Sequence, residues 1–134
     1  MGKLTKEDII LLFLENPYKL AAKFEEGAVQ KSDKTRQTIC DLGSPMVAFK
    51  YARYVDKDSH DSTREVCCKS GAYAYLYASW IDKGFREDTW EATKKFPGYR
   101  RWYSIYLRNV RGWSAAGSEP SMSKETDLER KNKQ

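Results

Sequence analysis

Pro-Met-Val-Ala-Phe-Lys-Tyr-Ala-Arg-Tyr-Val-Asp-Lys at 45–57 returns 26 residues later as Gly-Ala-Tyr-Ala-Tyr-Leu-Tyr-Ala-Ser-Trp-Ile-Asp-Lys at 71–83. The whole of 45–70 aligns with 71–96 without a gap, and eight of the 26 positions are identical: Ala48/Ala74, Tyr51/Tyr77, Ala52/Ala78, Asp56/Asp82, Lys57/Lys83, Thr63/Thr89, Glu65/Glu91 and Lys69/Lys95. Ordinary residue frequencies give about one or two by chance. A fixed period of this size is the mark of a stacked-repeat architecture.

The register continues outward from that pair. Pro97, Tyr103 and Leu107 repeat Pro45, Tyr51 and Val55 as a half-copy, and a degenerate earlier copy with a two-residue insertion pairs Pro17 with Pro45 and Thr35 with Thr63. Within each unit, Ala48, Tyr51, Ala52 and Val55, like Ala74, Tyr77, Ala78 and Ile81, fall at i, i+3, i+4 and i+7, one apolar stripe on a helix. Small alanines beside a tyrosine let helices approach while the ring fills the space between layers.

Start and stop signals complete the units. Thr5 and Ser44 read as N-caps, the latter followed by proline, whose missing N–H costs nothing in a first turn, and Asn16-Pro17 ends one helix and starts the next. Ser62 with Glu65 reads as a capping box and Asp88 repeats that start, while Gly71 and Gly84 stand where helices should stop. The expected fold is all-α: stacked helical hairpins, an open solenoid or a compact bundle, with about eight short helices near 6–15, 17–29, 34–42, 45–57, 63–70, 72–83, 89–96 and 97–109. Residues 1–113 read as one helical-repeat domain, and the polar, apolar-poor stretch 114–134 as a disordered tail.

Composition excludes several classes of function. At 134 residues the chain has room for one domain, with 40% hydrophobic and 32% charged residues. Its longest apolar run, Ile9 to Leu14, is far short of the about 20 residues a bilayer span needs. Glu7, Asp8 and Glu15 flank that run, against a secretory signal, and the chain reads as cytosolic. Three cysteines, Cys40 and the adjacent Cys67 and Cys68, read as reduced thiols.

Chemistry-bearing constellations are sparse. His60, in the polar loop Asp58-Ser59-His60-Asp61, reads as a solvated loop residue rather than a base oriented by a carboxylate. The Cys67–Cys68 neighbours lack zinc-ligand spacing, and Cys68 aligns with Lys94, an exposed position. Asp56, Asp58 and Asp61, and Glu87 with Asp88, read as helix ends and caps placed by the helix dipole. No phosphate-binding loop, dinucleotide fingerprint or nucleophile elbow is present. The expectation is therefore a protein with no catalytic residue, no metal and no cofactor.

The net charge of +5 has one source. Residues 94–117 hold Lys94, Lys95, Arg100, Arg101, Arg108 and Arg111 and no acidic residue, while the rest of the chain is near balance. Six aromatics interleave with those cations between 94 and 113. Tyr103 and Leu107 repeat core positions, but Arg100 and Arg101 replace Ala48/Ala74 and Phe49/Tyr75. Three readings compete: a polar cap on the array, a protein-binding patch built from arginine and aromatics, and a surface for nucleic acid. The protein-binding patch is assigned to Arg100, Arg101, Trp102, Arg108, Arg111 and Trp113.

The stretch Ser44-Pro-Met-Val-Ala-Phe-Lys-Tyr-Ala-Arg-Tyr-Val-Asp-Lys57, followed by its second copy, resembles the short helical repeats of form Pro-x-x-Ala-x-x-Tyr-Ala in small proteins of T-even-like tailed bacteriophages. The resemblance covers residues 44–107, and the loops after Asp56 and Asp82 depart from the pattern. It implies a phage accessory protein in the bacterial cytoplasm that binds a host protein, such as a defence component. It carries over no site residues.

Overall fold

A computed structural model describes residues 3–111, and among them every regular element is helical. The eight helices are α1 (Lys6–Glu15), α2 (Pro17–Glu25), α3 (Asp33–Leu42), α4 (Pro45–Tyr51), α5 (Asp61–Cys67), α6 (Gly71–Leu76), α7 (Glu87–Ala92) and α8 (Pro97–Tyr106). Three of them run on as π-helix: α4 through Ala52–Asp56, α6 through Tyr77–Asp82 and α8 through Leu107–Arg111. Residues 112–134, with the expected tail and Trp113, lie outside the described part.

The helices form two rows. The even helices α2, α4, α6 and α8 pack in succession along one row, and α1, α3, α5 and α7 along the other. The main contacts of each helix are to helices one or two places along the chain, the nearest-neighbour pattern of a stacked array. Three core clusters follow one another along it. Ile9, Leu20, Phe24, Ile39, Val47 and Tyr51 form the first, Ala48, Ala52, Val66, Cys67 and Tyr77 the second, and Ala78, Trp90, Tyr103 and Leu107 the third. The Tyr/Ala stripe read from the repeat is the buried stripe: Ala48, Tyr51, Ala52, Ala74, Tyr77 and Ala78 are inaccessible to solvent.

The early starts follow the sequence signals. Thr5 Oγ1 accepts from the Asp8 N–H at 3.1 Å while Asp8 takes the Thr5 N–H at 3.0 Å, and Asn16 Oδ1 accepts from the Tyr18 N–H at 2.9 Å. Ser44 caps α4 through the Val47 N–H. The starts of α5 and α7 differ from expectation. Their N-caps are His60 and Arg86, two residues before Ser62 and Asp88, and neither caps through its own side chain. A tyrosine from the next unit takes that role. The Tyr77 hydroxyl accepts the His60 N–H at 2.9 Å and lies 2.7 Å from Thr63 Oγ1, and Tyr103 repeats this with the Arg86 N–H at 3.1 Å and Thr89 Oγ1 at 2.7 Å. Tyr51 meets Ser32, the N-cap of α3, in the same way at 3.4 Å. Each unit thus latches the second helix of the unit before it.

The stops differ too. Gly71 opens α6, where an added Cβ would stand 2.7 Å from Phe96 Cγ, so its place is set by close packing and not by a turn. The ends after α4 and α6 are made by Lys57 and Lys83 in the left-handed region, at φ 54° and 56°. In α2 the chain leaves the helix at Glu25, earlier than the expected 29, and Gly27 turns it at φ 79°.

Candidate partner-binding face on the last helix

Two buried ion pairs, absent from the sequence expectation, define the ordinary unit junction. Asp56, read above as a helix end, and Asp82, its partner in the repeat, have buried carboxylates. Arg36 holds Asp56 through Nε to Oδ2 at 2.9 Å and Nη2 to Oδ1 at 3.1 Å, and reaches Asp33 at 2.8 Å. Arg64 repeats the grip on Asp82 at 3.0 and 3.2 Å and on Asp61 at 2.7 Å. Hydrogen bonding to Asp56 keeps the Arg36 guanidinium protonated well beyond its ordinary range. At Arg64 burial opposes the charge, and the bonds to Asp82 and Asp61 outweigh it. The signal was in the repeat: Asp56 and Asp82 are identical partners, and Arg36 and Arg64 occupy equivalent places.

The third junction inverts this chemistry. Trp90 stands where Arg36 and Arg64 stand, and Arg108 where Asp56 and Asp82 stand. Trp90 is buried with Tyr103 edge-on to it, ring centroids 5.1 Å apart at 78°. Arg100 turns back onto that ring with its guanidinium 3.9 Å from the centroid, and its Nη2 donates to the Trp90 carbonyl at 2.8 Å. Its Nε donates to Thr93 Oγ1 at 3.4 Å. Arg100, assigned above to the patch, thus lays its guanidinium on the Trp90 ring. The missing Arg–Asp pair leaves an aromatic face, and the nearest guanidinium covers it.

The rest of α8 divides cleanly. Tyr103, Ser104 and Leu107 face the core, whereas Arg101, Trp102 and Arg108 are exposed, Trp102 to 58%. Phe96 and Tyr99 are also exposed at the start of the helix, and Tyr99 leans toward Tyr75 at 6.5 Å. Of the assigned residues, the fold therefore brings Arg101, Trp102 and Arg108 to one helix's outer side. Arg111 closes the last helix, and its side chain, like Trp113, lies outside the described residues. No known protein family, curated protein or solved structure matches the chain.

A second stacked surface went unread in the sequence. The Arg53 guanidinium lies 4.2 Å from the Trp80 ring and 5.1 Å from Tyr54, with Lys50 on the same Tyr54 ring. Tyr54, Trp80 and Tyr106 share one place in the repeat, which is the signal that marks this edge.

His60 and the three thiols sit in settings that the rest of the fold has already claimed. His60 Nε2 is 3.9 Å from the buried Asp56, at the edge of the Arg36 ion pair. Burial pushes the Cys67 and Cys40 thiols up, and the Cys68 thiol up to about 12. Cys68 is half-buried, more enclosed than its alignment with Lys94 suggested. A reactive thiolate needs the opposite setting, electropositive and accessible. Among the described residues no group of three His, Cys, Asp or Glu side chains is arranged to hold a metal ion. No described helix is long and apolar enough to cross a membrane.

Proposed function

We propose that this chain is a non-catalytic binding protein, of the phage accessory kind that its repeats resemble, which docks a host cytoplasmic protein on the outer side of α8. The observation that carries the reading is Trp102, 58% exposed on a helix whose inner side is fully engaged, with Arg101 and Arg108 exposed beside it and no acidic residue from 94 to 117. Tryptophan and arginine are enriched among interface hot spots, tryptophan for its large rigid ring and arginine for a planar guanidinium that stacks on apolar surface and pairs with carboxylates. The chemistry calls for an acidic partner segment with an apolar anchor. Raised thiol pKa values support a binding role over a thiol enzyme.

Nucleic acid is the second reading, favoured by the exposed rings of Tyr99 and Trp102 beside Arg101, which suit base stacking with phosphate neutralisation. The two differ in salt response, because phosphate contacts release counterions and make affinity fall steeply with ionic strength. The test uses the immobilised chain in nuclease-treated bacterial lysate, with Trp102→Ala as control. A protein retained by the wild type and lost by the variant is the expected result. Nothing retained, together with salt-steep binding of labelled single-stranded RNA or DNA, overturns it in favour of the second reading.

A further inference from the structure

The apolar run Ile9–Leu14 is longer than one helix face can bury. Ile9 is in the core, and Leu12 and Phe13 pack against it, but Leu11 and Leu14 point away, 64% and 72% exposed. Around them Glu7, Asp8 and Glu15 are exposed as well, with Lys6 the one cation on α1. Glu15 is paired to Lys19 at 3.2 Å. A shallow groove of about 400 Å³ lies here, lined by Leu4, Asp8, Leu11, Leu12, Glu15 and Lys23.

The other end of the array has the complementary character. α8 exposes Trp102, Tyr99 and Phe96 with Arg101 and Arg108, and carries no carboxylate. Terminal units of a stacked array ordinarily present polar outer faces, since an apolar one recruits whatever stacks next. Both outer sides here keep large apolar side chains, one amid Glu7, Asp8 and Glu15 with Lys19 and Lys23 of α2 at its edge, the other amid arginines. The row order adds the geometry. Helices alternate between the rows along the chain, α1 in the first and α8 in the second, so the helix that would follow α8 in register belongs to the row of α1.

We infer that the α1 face of one copy docks on the α8 face of another, so that the array continues from copy to copy head to tail. Leu11 and Leu14 meet Trp102 and Tyr99, and Asp8 and Glu15 face Arg101 and Arg108. The contact joins two different surfaces, so each added copy leaves one of each free and the assembly grows or closes as a ring. The inference rests on the reading of α8 as a docking face, though not on any host protein, and makes self-assembly and partner binding compete for that face.

The test is sedimentation velocity of the full chain over a wide concentration range, with two surface variants. Leu11→Glu/Leu14→Glu blocks one end and Arg101→Glu/Trp102→Glu the other, and all four residues are exposed, so circular dichroism should report an unchanged fold. The wild type is expected to grow beyond a dimer as concentration rises, each variant alone to stay monomeric, and their mixture to stop at a dimer, since one open end of each kind remains. A wild type monomeric at every concentration, as when its own residues 112–134 cover α8, overturns the inference. So does a closed symmetric dimer, or association that survives Leu11→Glu/Leu14→Glu. That variant keeps the α8 face, so host-protein capture by it and by a wild type that never self-associates refutes this inference alone. Self-association without any capture refutes the host-partner reading alone.

Discussion

Arg64 grips Asp82 through two hydrogen bonds, at 3.0 and 3.2 Å, with both side chains almost wholly removed from water. The pair ties α5 to the end of α6, and Arg36 with Asp56 does the same one unit earlier. Removing Arg64 strands the buried Asp82 carboxylate, at a cost of about 3–5 kcal/mol, whereas replacing both by apolar residues of similar volume costs far less. Arg64→Met should therefore lower stability by about that amount in urea unfolding, Asp82→Leu by less because Arg64 keeps Asp61 at 2.7 Å, and Arg64→Met/Asp82→Leu by less than Arg64→Met alone. A double variant worse than both singles would contradict the account.

The tyrosine latch predicts a second, smaller effect. In Tyr77→Phe the ring stays but the His60 N–H loses its partner, while Thr63 keeps the His60 carbonyl, and in Tyr103→Phe the Arg86 N–H loses its partner, while Thr89 keeps the Arg86 carbonyl. Each change should cost about 1–3 kcal/mol, the price of a buried polar group left unpaired. Urea midpoints unchanged from the wild type would remove the latch from the list of stabilising features.

Lys57 and Lys83 sit where glycine is at ease. A left-handed conformation costs a residue with a Cβ about 1–2 kcal/mol, partly offset for glycine by its greater freedom when unfolded. Lys83→Gly should thus raise stability by about 0.5–1 kcal/mol, and Lys83→Val should lower it. Thermal melts of the two variants decide the sign.

Stability should fall in alkali. Burial pushes the Tyr51 and Tyr103 hydroxyls and the Cys68 thiol up to about 12, from ordinary values of about 10 and 8.5. Above about pH 8.5 the unfolded chain sheds protons that the folded chain keeps, so the unfolded state binds fewer and stability declines with pH. The contribution is complete below about pH 8.5 and is lost as pH rises toward 12. Urea unfolding at a series of alkaline pH values checks this, and a flat or rising stability would contradict it. Slow alkylation of Cys68 at neutral pH, quickened by urea, is the companion result.

Where sequence was a good guide, the determinant was local. The 26-residue register placed Ala48, Tyr51, Ala74 and Tyr77 in the core because helical periodicity alone assigns them to one stripe. Thr5 and Ser44 were legible as caps, and Asn16-Pro17 as a helix boundary, because the capping oxygen is local to each start. His60 and Arg86 were not, because the group that fixes each start is a tyrosine hydroxyl 17 residues ahead. Gly71 was misread for the same kind of reason, since Phe96 and not a turn demands its small size. At the candidate site, the basic aromatic segment was plain from composition, but the inward turn of Arg100 depends on Trp90 replacing an arginine one layer away.

The claim that the outer side of α8 is the binding surface is tested most directly by charge reversal. Arg101→Glu/Arg108→Glu changes two exposed side chains that make no core contact, so thermal stability should hold. Quantitative capture of the retained host protein, measured alongside the melting temperature, should be abolished in the double variant with that temperature unchanged. Capture at the wild-type level by a folded Arg101→Glu/Arg108→Glu protein would contradict the account.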